Sequence, residues 1–339
     1  MQTRTLGSDL VVSALGLGAM GMSDLYGPCD PEEGVATIHA ALDTGINLID
    51  TGDFYGNGHN EMLIARALRG RRREQAVLSV KFGALRAPDG SWLGHDGRPE
   101  AVKSSLAYSL KRLEVDYVDV YRPARVDPNV PIEETVGAIA EMIDAGYVRY
   151  LGLSEVGADT ICRAHAVHPV ADVQLEYSLL SRGIEQHILP VTRELGIGVT
   201  AYGVLARGLI SGHWTAARQL TEDDYRSTNP RFLPDNIVRN LALVKALQVV
   251  AREFDVTPAQ IAIAWVMGRG DDIVPLIGAR RPDRLTEALG AADLTLSNED
   301  LARIEEAIPP GSAAGERDAP EYLPAMDSEQ APVVSGGAA

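Results

Sequence analysis

Three residues with acid–base side chains follow two apolar runs of the sequence. The run INLID (46–50) ends in Asp50, with Tyr55 shortly after it, and AVLSVK (76–81) ends in Lys81. A buried lysine is unfavourable unless it is paired, and Asp50 can pair with it if the two runs are neighbouring strands. A tyrosine near such a cation has a lowered pKa and can act as a general acid. The pattern predicts proton donation to a substrate; a structural ion pair beside a packed tyrosine is the alternative.

Hydroxyl and amide side chains end three later runs. The run VRYLGLS ends in Ser154, and Glu155 follows it. The run ADVQLEY contains Gln174, and the run IGVTAY ends in Tyr202. If they face one rim, the first three can hold a carboxamide and Tyr202 can stack on a flat ring. Each residue taken alone is equally compatible with a rim side chain that hydrogen-bonds a loop.

The last apolar run, DIVPLIG (272–278), is followed by a basic segment. Gly278 and Ala279 permit close backbone approach, and a helix is predicted to begin near Pro282. Three arginines surround that start: Arg280, Arg281 and Arg284. A helix N-terminus with arginines beside it predicts a phosphate site, with a solvated basic face as the alternative.

The segment GLGAMG (Gly16–Gly21) matches the glycine pattern of dinucleotide-binding loops. That pattern requires a helix directly after the last glycine and an acidic residue roughly 20 positions on, at a strand end. Here a loop follows, and the first helix is predicted to begin later, with Asp30 as its N-cap and Pro31 in its first turn. We therefore interpret GLGAMG as the end of a first strand whose Met20 and Gly21 line the mouth of a site.

Apolar runs alternate with amphipathic helices along most of the chain. The runs cover 14–18, 46–50, 76–81, 116–121, 148–154, 171–177, 197–202 and 272–278, after a hairpin that turns at Gly7-Ser8. Helices are predicted near 31–44, 59–69, 99–113, 132–145, 157–168, 185–195, within 236–268, and over 282–290 and 297–308. Because the runs are nearly all apolar, they suit parallel strands buried on both faces. Eight such units predict an α/β fold, a (β/α)8 TIM barrel with extra C-terminal helices, whose chemistry lies at the strand C-termini.

Two segments depart from that regular pattern. Pro275 lies inside the eighth run and predicts a short or irregular strand, because proline cannot donate to a ladder. The long segment 203–235 has no clean periodicity and reads as a lid or binding loop. We expect one domain over 1–308 and a partly flexible tail over 309–339 with a disordered tip.

The bulk composition excludes several classes of protein. The 339 residues carry a formal net charge of −16 and a pI near 4.9, which disfavours nucleic acid and anionic membranes as partners. Two cysteines, Cys29 and Cys162, imply neither a zinc site nor a disulfide framework, so we expect free thiols in the cytoplasm and no metal. The N-terminus lacks the apolar stretch of a signal peptide, and no run is long enough to span a bilayer.

The segments INLIDTGDFYG, SVKFG, VRYLGLSE, VQLEYSLL, TAYGVLARGLI and VPLIGARRPDRLTEALGA occur in the order seen in the aldo-keto reductase superfamily. The chain resembles that family from its N-terminal hairpin to about residue 308. GYVRYLGLSEV and PVTRELGIGVTAYGVLARGLISG look like the bacterial branch related to pyridoxal reductases and potassium-channel β subunits. The resemblance implies an NADPH-dependent reductase of an aldehyde or ketone, such as a pyridoxal-like or secondary-metabolite carbonyl.

The resemblance also implies roles for individual residues. Tyr55 would protonate the carbonyl oxygen, and Lys81, neutralised by Asp50, would lower the pKa of Tyr55. Contacts to the cofactor would come from Gly18, Ala19, Met20, Asp50, Ser154, Glu155 (often Asn in the family), Gln174, Tyr202, Gly203, Val204, Leu205, Arg207, Gly208, Gly278, Ala279, Arg280, Arg284, Glu287 and Ala288 (Asn in many members). The substrate would meet Tyr26, Tyr55, Phe82, Trp92, Ala124 and Phe232, with Trp92 as a loop anchor the alternative.

One departure from the family pattern affects the chemistry. Ala124, in VYRPARVD, stands where the family has a histidine that donates to the carbonyl oxygen. Its loss lowers the rate on the order of 100-fold if nothing replaces it. Arg122 and His59 are the two candidate replacements, and the alternative function is a non-catalytic NADP(H)-binding sensor or regulatory subunit.

Overall fold

The computed structural model describes residues 1–23, 25–70, 73–215, 217–222 and 224–330. Its strands are β1 (Thr3–Leu6), β2 (Leu10–Ser13), β3 (Gly16–Gly18), β4 (Leu48–Gly52), β5 (Val77–Phe82), β6 (Ala84–Arg86), β7 (Trp92–His95), β8 (Val118–Pro123), β9 (Val148–Ser154), β10 (Val170–Glu176), β11 (Gly198–Tyr202) and β12 (Ile273–Ile277). A closed parallel barrel forms in the order β10-β11-β12-β3-β4-β5-β8-β9. The predicted (β/α)8 barrel is confirmed.

Helices surround the barrel on its outside. They are α1 (Pro31–Asp43), α2 (His59–Leu68), α3 (Pro99–Leu113), α4 (Ile132–Asp144), α5 (Ala158–Val167), α6 (Ile184–Glu194), α7 (Pro234–Glu253), α8 (Pro258–Met267), α9 (Pro282–Leu289) and α10 (Asn298–Ala307). Asp30 caps α1 by accepting from the Glu32 amide at 2.9 Å. The region 236–268 divides into α7 and α8, and α10 packs on α7, so the extra helices are confirmed.

The lower half of the barrel is filled by apolar side chains. The buried cluster there comprises Leu6, Leu10, Val12, Leu48, Val120, Ala171, Val274 and Leu276. The β1–β2 hairpin closes this end, and its turn needs glycine: Gly7 has φ +58°, and a Cβ there would lie 2.8 Å from the Cα of Ala171. The packed base leaves the opposite end of the barrel, where the strands terminate, for a site.

Of the short or irregular strand expected at Pro275, the irregularity is absent, while β12 is shorter than the run 272–278 that predicted it. β12 runs over five residues in unshifted register, with Val199, Thr200 and Ala201 of β11 opposite its first three. Beyond Pro275 the strand pairs with β3, where Leu276 lies opposite Gly16. Proline therefore stands where the pairing changes from one neighbour to the other, so its missing N–H does not interrupt the barrel.

Two segments cross the upper end of the barrel. The described part of 203–235 forms short 3-10 turns, and the Tyr225 amide donates to the Leu25 carbonyl at 2.9 Å. The second segment follows α10 and docks through paired hydrogen bonds between Asn240 and the backbone of Ala314, at 2.7 and 2.9 Å. The predicted tail thus contacts the barrel as far as Ser328, and its tip (331–339) lies outside the described residues. No helix in the described ranges is long and apolar enough to cross a bilayer.

Candidate active site

A cavity of about 410 Å³ opens at the C-terminal ends of the barrel strands. Most of the sequence-predicted site residues lie on its wall. They are Gly18, Met20, Tyr26, Asp50, Tyr55, Lys81, Trp92, Ala124, Ser154, Gln174, Tyr202, Gly203, Val204, Leu205, Arg207, Gly208, Gly278 and Arg280. Side chains from strands far apart in sequence therefore share one pocket.

Asp50 and Lys81 form a buried ion pair at the floor of the cavity. Asp50 lies on β4 and Lys81 on β5, and each is 4% exposed. The Asp50 carboxylate also accepts from Ser79 Oγ at 2.9 Å and from Gln174 Nε2 at 2.7 Å. Three donors surround the Asp50 carboxylate and fix its orientation, and the carboxylate in turn fixes the position of the Lys81 ammonium.

Tyr55 lies over this pair, with Lys81 Nζ 5.4 Å from the centre of its ring. The predicted lowering of its pKa is wrong for the protein alone. Burial raises the pKa of Tyr55 well above its usual value, Asp50 adds to the rise, and Arg125 opposes it. Tyr55 therefore holds its proton at all ordinary pH values, which is the form that a general acid needs.

The Lys81 ammonium loses its proton more easily than an ordinary lysine does. Burial lowers the pKa of Lys81 to about 8; Asp50 opposes this, while Arg122 and Arg125 add to it. Arg125 is thus a guanidinium group that acts on both Tyr55 and Lys81.

Neither predicted replacement for the missing histidine lines the cavity. Arg122 is fully buried below it, where its two terminal nitrogens each lie 3.0 Å from the Asp172 carboxylate and one donates to Ser79 Oγ at 2.9 Å. His59 contacts Ser23 Oγ at 2.9 Å instead. Both interpretations are corrected: Arg122 points into the barrel core as a strand residue, and His59 faces the β3 loop.

The wall beside Ala124 contains two residues that the sequence analysis missed. His95, at the end of the β6–β7 hairpin, and Arg125 both line the cavity with Ala124. Burial, aided by Arg125, lowers the pKa of His95 to about 4, so its imidazole is neutral at pH 7. Arg125 directly follows Ala124 in the sequence, so its neighbourhood to the motif was a usable signal. His95 reaches the cavity only through the fold of the β6–β7 hairpin, and no pattern in the sequence indicated that position.

Ser154, Gln174 and Tyr202 line one side of the cavity, but Glu155 does not join them. Its carboxylate turns away to an ion pair with Arg317 at 2.6 Å and accepts from the Glu176 amide at 2.9 Å. Glu155 has a left-handed backbone, φ +53°, which suits asparagine better than glutamate. The interpretation of Glu155 as a carboxamide ligand is therefore corrected, because its charge is taken by Arg317.

Arg317 belongs to the C-terminal segment and joins two buried carboxylates. Besides Glu155 it pairs with Glu176 at 3.3 Å, and Glu176 also meets Arg207 at 3.1 Å. Although burial acts to raise them, the pKa values of both glutamates are held at about 2, Glu155 chiefly by Arg317 and Glu176 chiefly by Arg207. Two acids at the ends of buried strands need cations to pair with, and this was the signal in the sequence. Arg317, which pairs with Glu155, lies 162 residues further along the chain.

At the other end of the cavity only one of the predicted phosphate-binding arginines is on the wall. Arg280 lines it and donates to the Tyr26 carbonyl at 3.0 Å. Arg284 and Glu287 lie outside: Glu287 contacts His213 at 2.8 Å and Arg284 at 3.2 Å. The small residues Ala19, Ala279 and Ala288 are buried behind the wall. The predicted contacts at these five positions are not part of this cavity.

Two predicted substrate residues are also displaced. Phe82 follows Lys81 on β5, so its side chain points to the opposite face, where it stacks on Tyr121 at 4.3 Å. Phe232 packs on Trp214 at 4.7 Å, within the 203–235 segment. Trp92 does line the cavity, next to Phe54 at 5.8 Å. In their place the C-terminal segment contributes Tyr322, Ala325 and Met326 to the wall.

Comparisons with known proteins agree with this geometry. The model of the "Aldo/keto reductase family" matches residues 14–309. A soybean (Glycine max) protein, "Probable aldo-keto reductase 1", is 42% identical over 309 residues, which are 90% of this chain and 88% of that protein.

Solved structures give the same result. The glycerol dehydrogenase of Gluconobacter oxydans superimposes with a TM-score of 0.82 at 29% identity, covering 97% of this chain and 98% of that one. An aldo-keto reductase of Bacillus halodurans in its holo form gives 0.74 at 28% identity, covering 93% and 98%. A thermostable aldo-keto reductase solved with the inhibitor epalrestat gives 0.72 at 27% identity, covering 91% and 100%.

Proposed function

This chain belongs to the aldo/keto reductase family, and from that premise we propose that it is an NADPH-dependent enzyme that reduces an aldehyde or ketone to an alcohol. The observation that carries the proposal is the cavity in which Tyr55, Lys81 and Asp50 converge. A redox enzyme and a sensor both need a cofactor pocket, but only the enzyme needs a proton donor held at its floor. Consumption of NADPH with an aldehyde panel that includes pyridoxal tests it, and no turnover with any carbonyl despite tight NADPH binding would refute it.

The cavity wall suits a nicotinamide cofactor. Ser154 and Gln174 offer hydrogen bonds for a carboxamide, the half-buried Tyr202 ring offers a stacking face, and Arg280 offers charge for a phosphate. When bound, the cofactor supplies a hydride to the carbonyl carbon. The backbone of 203–208 passes the cavity, and Gly203 adopts φ +65°, which keeps that strand end free of a side chain where the chain turns.

Tyr55 would complete the reduction by donating its phenolic proton to the carbonyl oxygen. Its hydroxyl remains protonated in the resting protein, and the charges on Lys81 and Arg125 favour the phenolate that forms as the proton leaves. Asp50 holds Lys81 in place and does not itself touch the substrate in this scheme.

Arg280→Ala is expected to weaken binding of NADPH but not of NADH. A guanidinium that meets the extra phosphate of NADPH contributes a charge-assisted hydrogen bond, and its loss raises the Kd for NADPH by roughly 10- to 100-fold. Fluorescence titration with both cofactors measures this. Arg163→Ala, which removes a surface arginine paired with Glu133, serves as the control. Equal weakening of both cofactors would contradict the assignment of Arg280.

The alternative is a non-catalytic NADP(H)-binding sensor, and Ala124 is the observation that favours it. Ala124→His restores the family's imidazole on the cavity wall. If the chain is an enzyme adapted to alanine, we expect robust turnover by the natural protein and no gain in kcat from the variant. Negligible natural turnover that rises on the order of 100-fold in the variant would instead identify a site that has lost its activity.

The cysteines and the composition indicate the compartment and the partners that suit this protein. Cys29 and Cys162 are free thiols, which suits a reducing cytoplasm, and the acidic composition disfavours nucleic acid and anionic membrane surfaces as partners. The expected partner is a small carbonyl compound.

A further inference from the structure

We propose that Arg125 is an anion-binding residue and that the carbonyl substrate carries a carboxylate or phosphate group. This inference rests on the proposed reduction of a carbonyl and names its substrate class. It follows from the position of Arg125 on the cavity wall, from the charges around it, and from the room left by Ala124.

Arg125 extends from the end of β8 into the part of the cavity that holds Tyr55. It is half-buried, and its Nη1 donates to the carbonyl oxygen of Ala124 at 2.6 Å. In the described part of the chain no carboxylate forms an ion pair with it. It lines the cavity together with Tyr55, His95 and Ala124, so its guanidinium lies on the wall that a group attached to the carbonyl would face. A half-buried guanidinium whose charge is unpaired attracts an anion.

The other cations on the wall are already engaged. Lys81 pairs with Asp50, Arg207 with Glu176, and Arg226 with Asp224. Arg280 lies at the far end, where it donates to the carbonyls of Tyr26 and Pro28. Among the described residues, Arg125 is therefore the cation near Tyr55 that remains available to pair with a charge on the substrate.

The balance of charge on the wall favours an anion as well. Its described cations are Lys81, Arg125, Arg207, Arg226 and Arg280, and its described carboxylates are Asp50 and Asp318. Both carboxylates are engaged: Asp318 accepts from Tyr225 Oη and lies 3.7 Å from Arg207. Because Glu176 and Asp224 neutralise Arg207 and Arg226 from behind the wall, the excess positive charge is confined to Arg125 and Arg280, a local exception in a chain of net charge −16 that attracts anions.

The surroundings of Arg125 leave room for a group attached to the carbonyl. Ala124 presents a methyl where the family has an imidazole, and His95 beside it is neutral at pH 7. A neutral imidazole can donate one hydrogen bond without competing for the anion. Arg125 helps to lower the pKa of Glu155, but the Glu155 carboxylate is bound by Arg317 and Ser328.

Matched substrate pairs test the proposal. 4-Carboxybenzaldehyde is compared with its methyl ester, and pyridoxal 5′-phosphate with pyridoxal, which separates a carboxylate from a phosphate source. We expect a lower KM for the anionic member of at least one pair. Arg125→Gln should raise the KM of the anionic member by roughly 10- to 100-fold relative to that of the neutral member, beside any fall in kcat that both members share, and Arg125→Lys should recover part of the loss in KM.

A binding measurement separates this inference from the proposed function. Benzoate and benzamide are titrated calorimetrically into protein with saturating NADP⁺; benzoate should bind more tightly, and Arg125→Gln should remove the difference even if no carbonyl is turned over. Arg163→Gln, a surface variant, should change neither KM nor Kd. Two results would overturn the proposal: no preference for either anion, or a rise in KM in Arg125→Gln that is equal for charged and neutral substrates.

Discussion

Tyr55→Phe is expected to lower kcat for carbonyl reduction by roughly 10²- to 10⁴-fold, the usual contribution of a positioned general acid. The variant removes one oxygen atom from a side chain that is 6% exposed and packs edge-on against Phe54 at 4.7 Å. The packing and the Asp50–Lys81 pair below it remain, so the Kd for NADPH should change little. Steady-state kinetics and a fluorescence titration of the cofactor measure the two effects.

Tyr121→Phe provides a matched control for that experiment. Tyr121 is also fully buried and loses the same oxygen atom, but its hydroxyl donates to the Val102 carbonyl at 3.0 Å on the outer face of the barrel. We expect a modest loss of stability, about 1 kcal/mol, and unchanged kcat. If Tyr55→Phe and Tyr121→Phe retained equal activity, another group would have to supply the proton.

The barrel and the floor of the site were predictable because local patterns specify them. A strand buried on both faces is a short apolar run, and each of the eight runs became a barrel strand. Asp50 and Lys81 end neighbouring runs, so their pairing followed from strand order and from the cost of a lone buried charge. The same alternation shows why Phe82 was misassigned: it adjoins Lys81 and must face the other way.

The upper wall of the site was less predictable because its residues come from irregular segments. His95 reaches the cavity on a hairpin inserted after β5, and Tyr322 and Met326 reach it on the segment after α10. No periodicity records where such segments fold. The acids at the ends of β9 and β10 required cations, yet the sequence did not show that Arg317 would supply one.

Arg317 is, on this view, the residue that fixes the C-terminal segment to the barrel. Its guanidinium bonds Glu155 and Glu176 from above, and two backbone contacts follow it: the Gly157 amide donates to Asp327 at 2.8 Å and the Ser328 amide donates to the Glu155 carbonyl at 3.2 Å. Because this segment also supplies part of the cavity wall, its docking shapes the site as well as stabilising the fold.

Arg317→Met is expected to weaken that docking by about 3–5 kcal/mol, since it leaves Glu155 buried without its cation. Glu176 keeps Arg207, so the loss falls mainly on Glu155. Amide hydrogen exchange at Gly157 and Ser328 should accelerate on the order of 10²- to 10³-fold. Arg163→Met, which removes an exposed arginine paired with Glu133, should shift neither amide.

The pH dependence of docking gives the same prediction a second readout. The pKa of Glu155 is lowered from 4.5 to about 2 in the folded chain, so its pairing stabilises above about pH 4.5 and is lost as the pH falls towards 2. In Arg317→Met most of that acid-side loss should disappear, because the carboxyl has lost the main cation that favours its ionised form and keeps only the weaker effect of Arg125. Glu155→Gln combined with Arg317→Met should be more stable than Arg317→Met alone, since no buried charge is left unpaired. A double variant that is less stable, by the sum of both single losses, would show that Glu155 and Arg317 act independently.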